Sequence, residues 1–290
     1  ALVAVLILLC AFGTVITVLY QLMSGVGNIE LSQYVVRLGY LFAFGFALQG
    51  TLAFLFQVIS PSKYLGMGLF ILYYITSLVM SNFGFEHNMF RIGSTPSVPY
   101  SDINGYGHFL TPVHWYNLYW FGLSMILAAV SYALWPRGAG QTLKARFSQL
   151  NYQLGLAGKV AIAIGVIMFV GAGSNIYYNT QVVNTFITSD EFEDLAEQYE
   201  RKFAEYKESP LPTTLDVKAN VDIYPKKRRI EAEVVLQVEN KTKQVIERVL
   251  VNKPSHTLEW QVEMPGATLG EVDKTYRHAW LEFSNPMQPG

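Results

Sequence analysis

The pattern of hydrophobic and polar positions changes near residue 181. Before that point long apolar runs recur, and in the last of them no charged residue follows Lys159 until Asp190. About 20 apolar residues are enough to cross the hydrocarbon core of a bilayer, and a run of that length with few charges is typical of a membrane span. The pattern therefore predicts five membrane-spanning helices, at residues 1–23, 35–59, 64–83, 115–135 and 160–181.

The stretch after the last run is polar and has a helical period. Thr188 and Glu191 have the spacing of a capping box, in which the side chain of each residue bonds the backbone N–H of the other. Apolar residues then recur at intervals of three and four, and Pro210 and Pro212 follow as helix breakers. The sequence predicts an amphipathic helix within residues 182–211.

From Thr213 the period changes to two. Residues 215–223 and 230–238 alternate apolar and polar positions on either side of a basic turn, which indicates a half-buried antiparallel hairpin. Further strand-like pieces follow at 245–251, 257–262 and 276–283. The basic cluster 226–229 suggests either phosphate binding or a solvated turn, and the acidic surroundings favour the turn. Residues 212–290 are predicted to be an incomplete β-rich domain.

Charge distinguishes the two parts of the chain and gives an orientation. Up to Gln181 there are seven Lys and Arg against three Asp and Glu, and after it fourteen against nineteen. The basic segments 60–63 and 136–159 are predicted to be cytoplasmic, because short cytoplasmic loops carry the excess of Lys and Arg. The fold class is then a multi-pass α-helical membrane protein with five spans, followed by an amphipathic helix and an antiparallel β-rich extracytoplasmic domain.

Residues 84–114 are the most unusual part of the membrane region. This loop is too long and aromatic for a simple connector and too polar to span, so we expect short helices that dip into the outer leaflet and pack on protein. Four side chains of this loop are possible zinc ligands: Glu86, His87, His108 and His114. Their spacing matches no zinc site, and interface anchoring and loop folding are the favoured roles.

Few other residues of the membrane region offer chemistry. Gln49 and Gln57 lie within a predicted span, where interhelical hydrogen bonds are the favoured role over substrate contacts. Cys10 is the single cysteine, so neither a disulfide nor a thiolate metal site forms within this chain. The sequence assigns no catalytic, cofactor-binding or metal-ligating residue.

Two stretches resemble one bacterial family. The outer-loop sequences EHNMFRIG (86–93) and PYSDINGYGHF (99–109) resemble the last long outer loop of ABC type-2 permeases fused to a zinc aminopeptidase. The sequences LDVKANVDIYP (215–225) and VENKT (238–242) resemble the opening strands of that peptidase's N-terminal β-domain. The resemblance covers most of residues 60–250, in the order of the fusion.

The resemblance implies an organisation and a set of partners. Residues 1–135 would be the later permease spans, with a re-entrant outer loop at 84–114. Residues 136–159 would be a basic cytoplasmic linker. Residues 160–181 would be an extra crossing that places residues 212–290 outside the bacterial inner membrane. The implied partners are cytoplasmic ABC ATPase subunits, a second permease copy or homologue, the lipid bilayer and a peptide or protein substrate, with no nucleic acid. ATP would bind a separate subunit.

The family's catalytic motif does not occur in this sequence. None of the five histidines, including His256 and His278, lies in an H-E-x-x-H motif, so zinc and peptidase activity are expected only in residues beyond Gly290. Because the chain starts within an apolar run, we expect it to be an excerpt of a longer polypeptide. Two alternatives remain open: a membrane-anchored zinc aminopeptidase, and a non-catalytic outer docking domain on a membrane scaffold.

Overall fold

A computed structural model describes residues 2–102, 105–136, 142–224, 227, 229–254 and 258–290. The chain divides into two compact units, Ala1–Glu191 and Phe192–Gly290. In the described residues five long apolar helices are followed by a further helix and by antiparallel β-sheets. The predicted succession of five spans, an amphipathic helix and an antiparallel β region is confirmed.

The first unit is built from helices. They are α1 (Leu2–Met23), α2 (Leu31–Tyr34), α3 (Phe44–Ile59), α4 (Lys63–Val79), α5 (Leu110–Leu134), α6 (Leu143–Ser148) and α7 (Leu150–Tyr177). A π-helical segment, Val35–Ala43, joins α2 to α3, and a second one, Tyr178–Val183, extends α7. Five stretches are long and apolar enough to cross a membrane, which identifies a multi-pass membrane protein: Ala4–Met23, Leu31–Ile59, Lys63–Phe83, Gly107–Leu134 and Leu150–Val183.

Two helices begin earlier than the sequence predicts. Helix α5 starts at Leu110, before the predicted start at residue 115, because Pro112 lies in its first turn, where the missing N–H of proline costs no hydrogen bond. Helix α7 starts at Leu150, within the predicted linker 136–159. At Gly155 the backbone leaves the helical region, with φ 57° and ψ −167°, so a break separates the first residues of α7 from its apolar run.

Helices α5 and α7 approach each other closely at a pair of glycines. A Cβ atom on Gly165 would lie 2.7 Å from the carbonyl oxygen of Gly122, and a Cβ on Gly122 would lie 2.7 Å from that of Gly165. Tyr119 stacks on Phe169 with 4.3 Å between the ring centroids. Small residues let helix backbones approach within a bilayer, so this contact brings the fourth and fifth candidate spans together.

The buried core of the first unit lies beside this contact. It contains Leu48, Tyr116, Tyr119, Trp120, Ala172 and Ile176. Helix α1 contrasts with it, since none of its apolar window is buried within the chain. A helix that is apolar all round and uncovered by protein is expected to face lipid.

Helix α6 is attached to the ends of two candidate spans. The guanidinium of Arg146 is buried and donates from Nη1 to the carbonyl oxygens of Val58, at 2.7 Å, and Leu134, at 3.0 Å. The last carbonyls of a helix lack intrahelical donors and carry partial negative charge, so a cation is favourable there. Arg146 therefore joins the C-terminal ends of α3 and α5.

The outer loop contains no α-helix in its described part before α5. Its regular elements are single 3₁₀ turns, Asn88–Phe90 and Gly107–Phe109, and residues 103 and 104 of the second motif lie outside the described residues. The short helices predicted for this loop are single 3₁₀ turns of three residues each, and their position in a leaflet stays a prediction. Glycines with positive φ, among them Gly84, Gly93 and Gly105, turn the chain too often for a helix to propagate.

The second unit contains most of α8 and two antiparallel sheets. The elements are α8 (Ser189–Phe203), a 3₁₀ turn (Ala204–Tyr206), β1 (Thr213–Tyr224), β2 (Arg229–Glu239), β3 (Ile246–Asn252), β4 (Ala267–Leu269) and β5 (His278–Met287). The capping box of α8 is confirmed: Thr188 N–H donates to Glu191 Oε2 at 2.9 Å, and Glu191 N–H donates to Thr188 Oγ1 at 3.3 Å.

Strands β1 and β2 form the predicted antiparallel hairpin, a two-stranded sheet. Val217 pairs with Leu236 and Val221 with Ala232, so the apolar positions of both strands share one face. Both faces of this hairpin are largely exposed, which corrects the prediction that its strands are half-buried. Alternation shows which side chains share a face, but a separate layer has to cover that face. Residues 225, 226 and 228 of the predicted basic turn lie outside the described residues.

The second sheet has the order β3-β5-β4 and carries the core of this unit, Ile246, Ala279 and Leu281. Aromatic residues of α8 and the following turn pack on its last strand: Tyr199 lies 5.4 Å from His278 and Tyr206 lies 4.8 Å from Trp280, between ring centroids. Asn240 is fully buried, and its Nδ2 donates to the carbonyl oxygens of Gln244 and Met287. It ties the turn after β2 to the end of β5.

One predicted strand is absent from the described residues, and one observed strand was not predicted. Residues 258–262 form no strand, and residue 257 and His256 lie outside the described residues. Pro265 and Gly266, whose φ is 75°, turn the chain directly after this segment. The short strand β4, which the sequence did not indicate, follows the turn and pairs with β5.

Candidate functional site

The first motif of the outer loop, residues 86–94, lies against four of the candidate spans. The carbonyl oxygen of Ile92 accepts from Gln49 on α3 at 3.2 Å, and its N–H donates to the hydroxyl of Tyr73 on α4 at 3.3 Å. Trp120 on α5 donates to the carbonyl oxygen of Ser94 at 3.0 Å. Backbone groups that pack on protein at membrane depth need such partners, and these contacts supply them.

A pair of glycines lets the loop reach α3. Gly93 has φ 76°, and a Cβ atom on it would lie 2.7 Å from the carbonyl oxygen of Gly45. A larger residue at either position would separate the loop from the helix. The glycine that ends the EHNMFRIG motif is therefore needed both for its backbone conformation and for a close approach.

His87 lies at the centre of this cluster. The ring is buried, its Nδ1 accepts from the Met89 N–H at 3.3 Å, and its Nε2 lies 3.2 Å from Thr180 Oγ1 and 3.3 Å from the Tyr116 hydroxyl oxygen. Burial lowers the pKa of His87. The acceptor role of Nδ1 places the proton of the neutral ring on Nε2, which donates toward Thr180 and Tyr116.

Glu86 binds the start of α8. Its carboxylate accepts from the Ser189 N–H at 2.9 and 3.0 Å and from the Ser189 Oγ at 2.8 Å. A carboxylate is favourable at this position, because the first N–H groups of a helix are unpaired and carry partial positive charge. Together Glu86 and His87 hold the segment after α7 against the outer loop.

A cavity of about 460 Å³ opens beside these contacts. Its polar lining combines one guanidinium, two carboxylates, one imidazole and smaller hydrogen-bonding groups: Ser77, Ser81, Asn82, Glu86, His87, Arg91, Ser189 and Asp190. Arg91 Nη2 donates to Ser94 Oγ at 3.3 Å. Charges of both signs in one cavity suit the binding of a small polar or zwitterionic group.

The four side chains considered as zinc ligands belong to separate contacts. Glu86 binds Ser189, His87 binds Thr180 and Tyr116, His108 lies against Phe109, and His114 Nδ1 lies 2.6 Å from the Tyr40 hydroxyl. Within the part of the chain that the structure describes, no three His, Cys, Asp or Glu side chains are grouped closely enough to hold a metal ion. These residues build and anchor the loop.

Sequence reasoning singled out some residues of this site and missed others. Gln49 bonds the loop, and Gln57 Nε2 donates to the Lys63 carbonyl oxygen at 3.3 Å across its own turn. Thr180 and Ser189 were missed, because a hydroxyl at or beyond the end of a span has no sequence signal for a partner about a hundred residues away. The stretch VENKT was singled out only for its family resemblance, whereas in the structure its Asn240 is a buried residue that holds the turn after β2.

No protein-family profile, curated protein or solved structure matches the chain. The structure describes a multi-pass membrane protein with five candidate spans and a small antiparallel β region, and no family is identified.

Proposed function

We propose that the chain is a permease subunit of an ATP-driven transporter whose β-rich region lies outside the cytoplasm and handles a peptide or protein substrate. The observation that carries the proposal is the placement of the EHNMFRIG loop among α3, α4, α5 and the segment after α7. The residues that resemble the permease loop are those that close one end of the bundle. A simple membrane anchor needs no loop packed among its spans.

The charges support the orientation in this proposal. The linker with Lys144, Arg146 and Lys159 lies at the end of the bundle where α3 and α5 finish, since Arg146 bonds their last carbonyls. The loop with Glu86 is on the other side of these spans and bonds Ser189, from which the chain continues into the second unit. Cytoplasmic basic residues then place this loop outside.

Co-purification tests the partnership. The tagged chain, extracted from its native membrane under mild conditions, is expected to bring an ATP-binding subunit with it, and substrate movement in reconstituted vesicles should require ATP. A preparation that transports substrate and contains no ATPase would contradict the proposal.

A labelling experiment tests the orientation separately. Cys10→Ala removes the single thiol, and Lys227→Cys places a new one between β1 and β2. A membrane-impermeant maleimide added to intact cells with a permeable outer envelope is expected to label this cysteine, and a Lys144→Cys control should react only after lysis. The reverse pattern would place the β-rich region in the cytoplasm.

A further inference from the structure

The segment between α5 and the apolar run of α7 lies at the level where the candidate spans end. Arg146 fixes this level, because it bonds the carbonyl oxygens of Val58 and Leu134 at the ends of α3 and α5. Trp135 stacks on Phe54 at the same end, with 5.3 Å between the ring centroids. Tryptophan is enriched where a span meets the headgroups, so this end corresponds to a membrane surface.

Gly155 divides α7 into a surface part and a spanning part. Its φ of 57° with ψ of −167° belongs to a region that only glycine adopts readily, and no atom lies within 4 Å of a Cβ placed there. Residues 156–177 after the break would extend about 33 Å as a helix, close to the thickness of the hydrocarbon core. Residues 142–154 before the break are therefore not needed to span.

The surface part exposes large apolar side chains. Tyr152 is 86% exposed, and Leu143 and Phe147 are exposed one turn apart on α6. Leu156, directly after the break, is 81% exposed. Arg146 points from the same short helix toward the bundle. Exposed apolar groups beside the end of a span are placed to enter the boundary between headgroups and acyl chains.

The charges of this region are of one sign. No Asp or Glu occurs between Asp102 and Asp190, whereas Lys144 and Lys159 are exposed on either side of the apolar group. Basic and apolar residues together match a surface of anionic phospholipid, which offers negative headgroups above an apolar layer. We propose that residues 142–154 form a membrane-surface segment that binds anionic phospholipid headgroups together with Lys159 in the first turn after the break, with Gly155 as the bend into the last span.

The test uses the full chain in nanodiscs of phosphatidylcholine with and without phosphatidylglycerol. Backbone hydrogen exchange of residues 142–158 is expected to slow when phosphatidylglycerol is present. The double variant Lys144→Gln/Lys159→Gln should lose this protection, by about fivefold for each lysine removed. The double variant Lys207→Gln/Lys243→Gln, at two exposed lysines of the second unit, is the control with the same change of charge, and it should have no effect.

Two further measurements distinguish the alternatives. Gly155→Ala should disturb the bend and reduce the phosphatidylglycerol effect, whereas Gly171→Ala, with open space around its Cβ, should leave it unchanged. A spin label at residue 152, in the Cys10→Ala background, should be more accessible to molecular oxygen, which concentrates in the lipid, than to a water-soluble nickel complex. The proposal would be overturned by any of three results. Exchange could be the same with and without phosphatidylglycerol, free glycerol phosphate could protect equally well, or protection could require a bound partner protein.

Discussion

The helix pair α5–α7 and the strand pair β1–β2 use their apolar residues in opposite ways. Gly122 and Gly165 let α5 and α7 approach until side chains such as Tyr116 and Ile176 are buried. The hairpin has regular backbone pairing, yet Val217, Leu236 and the other residues of its apolar face are exposed. Backbone pairing therefore does not require side-chain burial. A regular apolar pattern predicts the backbone pairing but not the burial.

The strongest way to break the helix pair is Gly165→Leu. The new Cβ would lie 2.7 Å from the Gly122 carbonyl oxygen, and a backbone atom in a helix cannot move away, so we expect a loss of about 3 kcal/mol or more in unfolding free energy. Fluorescence-detected size-exclusion after heating measures the effect. Gly171→Leu on the same helix has open space and should behave like the wild type. Equal losses in the two variants would mean that α5 and α7 do not touch at this point.

A matched pair of truncations compares the two sheets. Leu281→Ala removes a side chain that is 5% exposed and should cost about 2–4 kcal/mol, whereas Leu236→Ala, at 53% exposure, should cost less than about 1 kcal/mol. Chemical denaturation of the full chain, followed in the second unit by hydrogen exchange, measures both. Equal costs would show that a further layer covers the hairpin in solution.

Acidification tests the end of the helix pair, where His87 contacts Tyr116 and Thr180. Because burial lowers the pKa of His87 in the folded state, its stabilising contribution is present above the ordinary value near 6.5 and is lost as pH falls through the lowered pKa. The protection of residues 86–94 against hydrogen exchange, taken relative to the intrinsic exchange rate at each pH, should decrease between about pH 7 and pH 5.

A variant separates His87 from other histidines. His87→Asn, whose Oδ1 can replace Nδ1 as acceptor for the Met89 N–H, should flatten this pH dependence. The pKa of His278 is also lowered by burial, so His278→Asn is the control and should leave residues 86–94 as pH-sensitive as before. If His87→Asn keeps the full dependence, another group controls the loop.

The smallest effect is expected from a polar contact of the second unit. Lys202 Nζ lies 2.7 Å from Asp273 Oδ2, and this hydrogen bond, with the N–H groups of Tyr276 and Thr275, lowers the pKa of Asp273 to about 2. Lys202→Met should raise that pKa while costing at most about 1 kcal/mol at neutral pH, since the pair is partly exposed. Carboxyl NMR titration measures the shift, with Lys243→Met as control. An unchanged pKa would remove Lys202 as its main cause.

Strong local patterns predicted much of the fold. The five apolar runs, the Thr188 capping box and the strands around 215–238 needed only neighbouring residues, because membrane crossing, helix capping and alternation are local properties. The sequence did not show that the helices of the outer loop are only single 3₁₀ turns, and its predicted strand at 257–262 was wrong over the described residues 258–262. Turns made by glycine and proline overrode the weak apolar pattern in both segments.

The candidate site was predicted only in outline. Glu86 and His87 were singled out as unusual, but their partners Ser189, Thr180 and Tyr116 come from distant parts of the chain. In the sequence, Arg146 was only one of the positive charges of a predicted linker. In the structure, it donates hydrogen bonds to the carbonyl oxygens at the ends of two helices. A partner is decided by packing, which sequence spacing does not contain.

The sequence by itself determined that this chain has five lipid-compatible helices and an antiparallel β region, because both follow from the period and length of apolar runs. Only the tertiary structure decided that Gly122 meets Gly165, that the outer loop lies among the spans, and that the hairpin is uncovered. Those features depend on which distant surfaces fill the same space. The close packing of α5 on α7, and the lack of a layer over the hairpin, are properties of the folded chain as a whole.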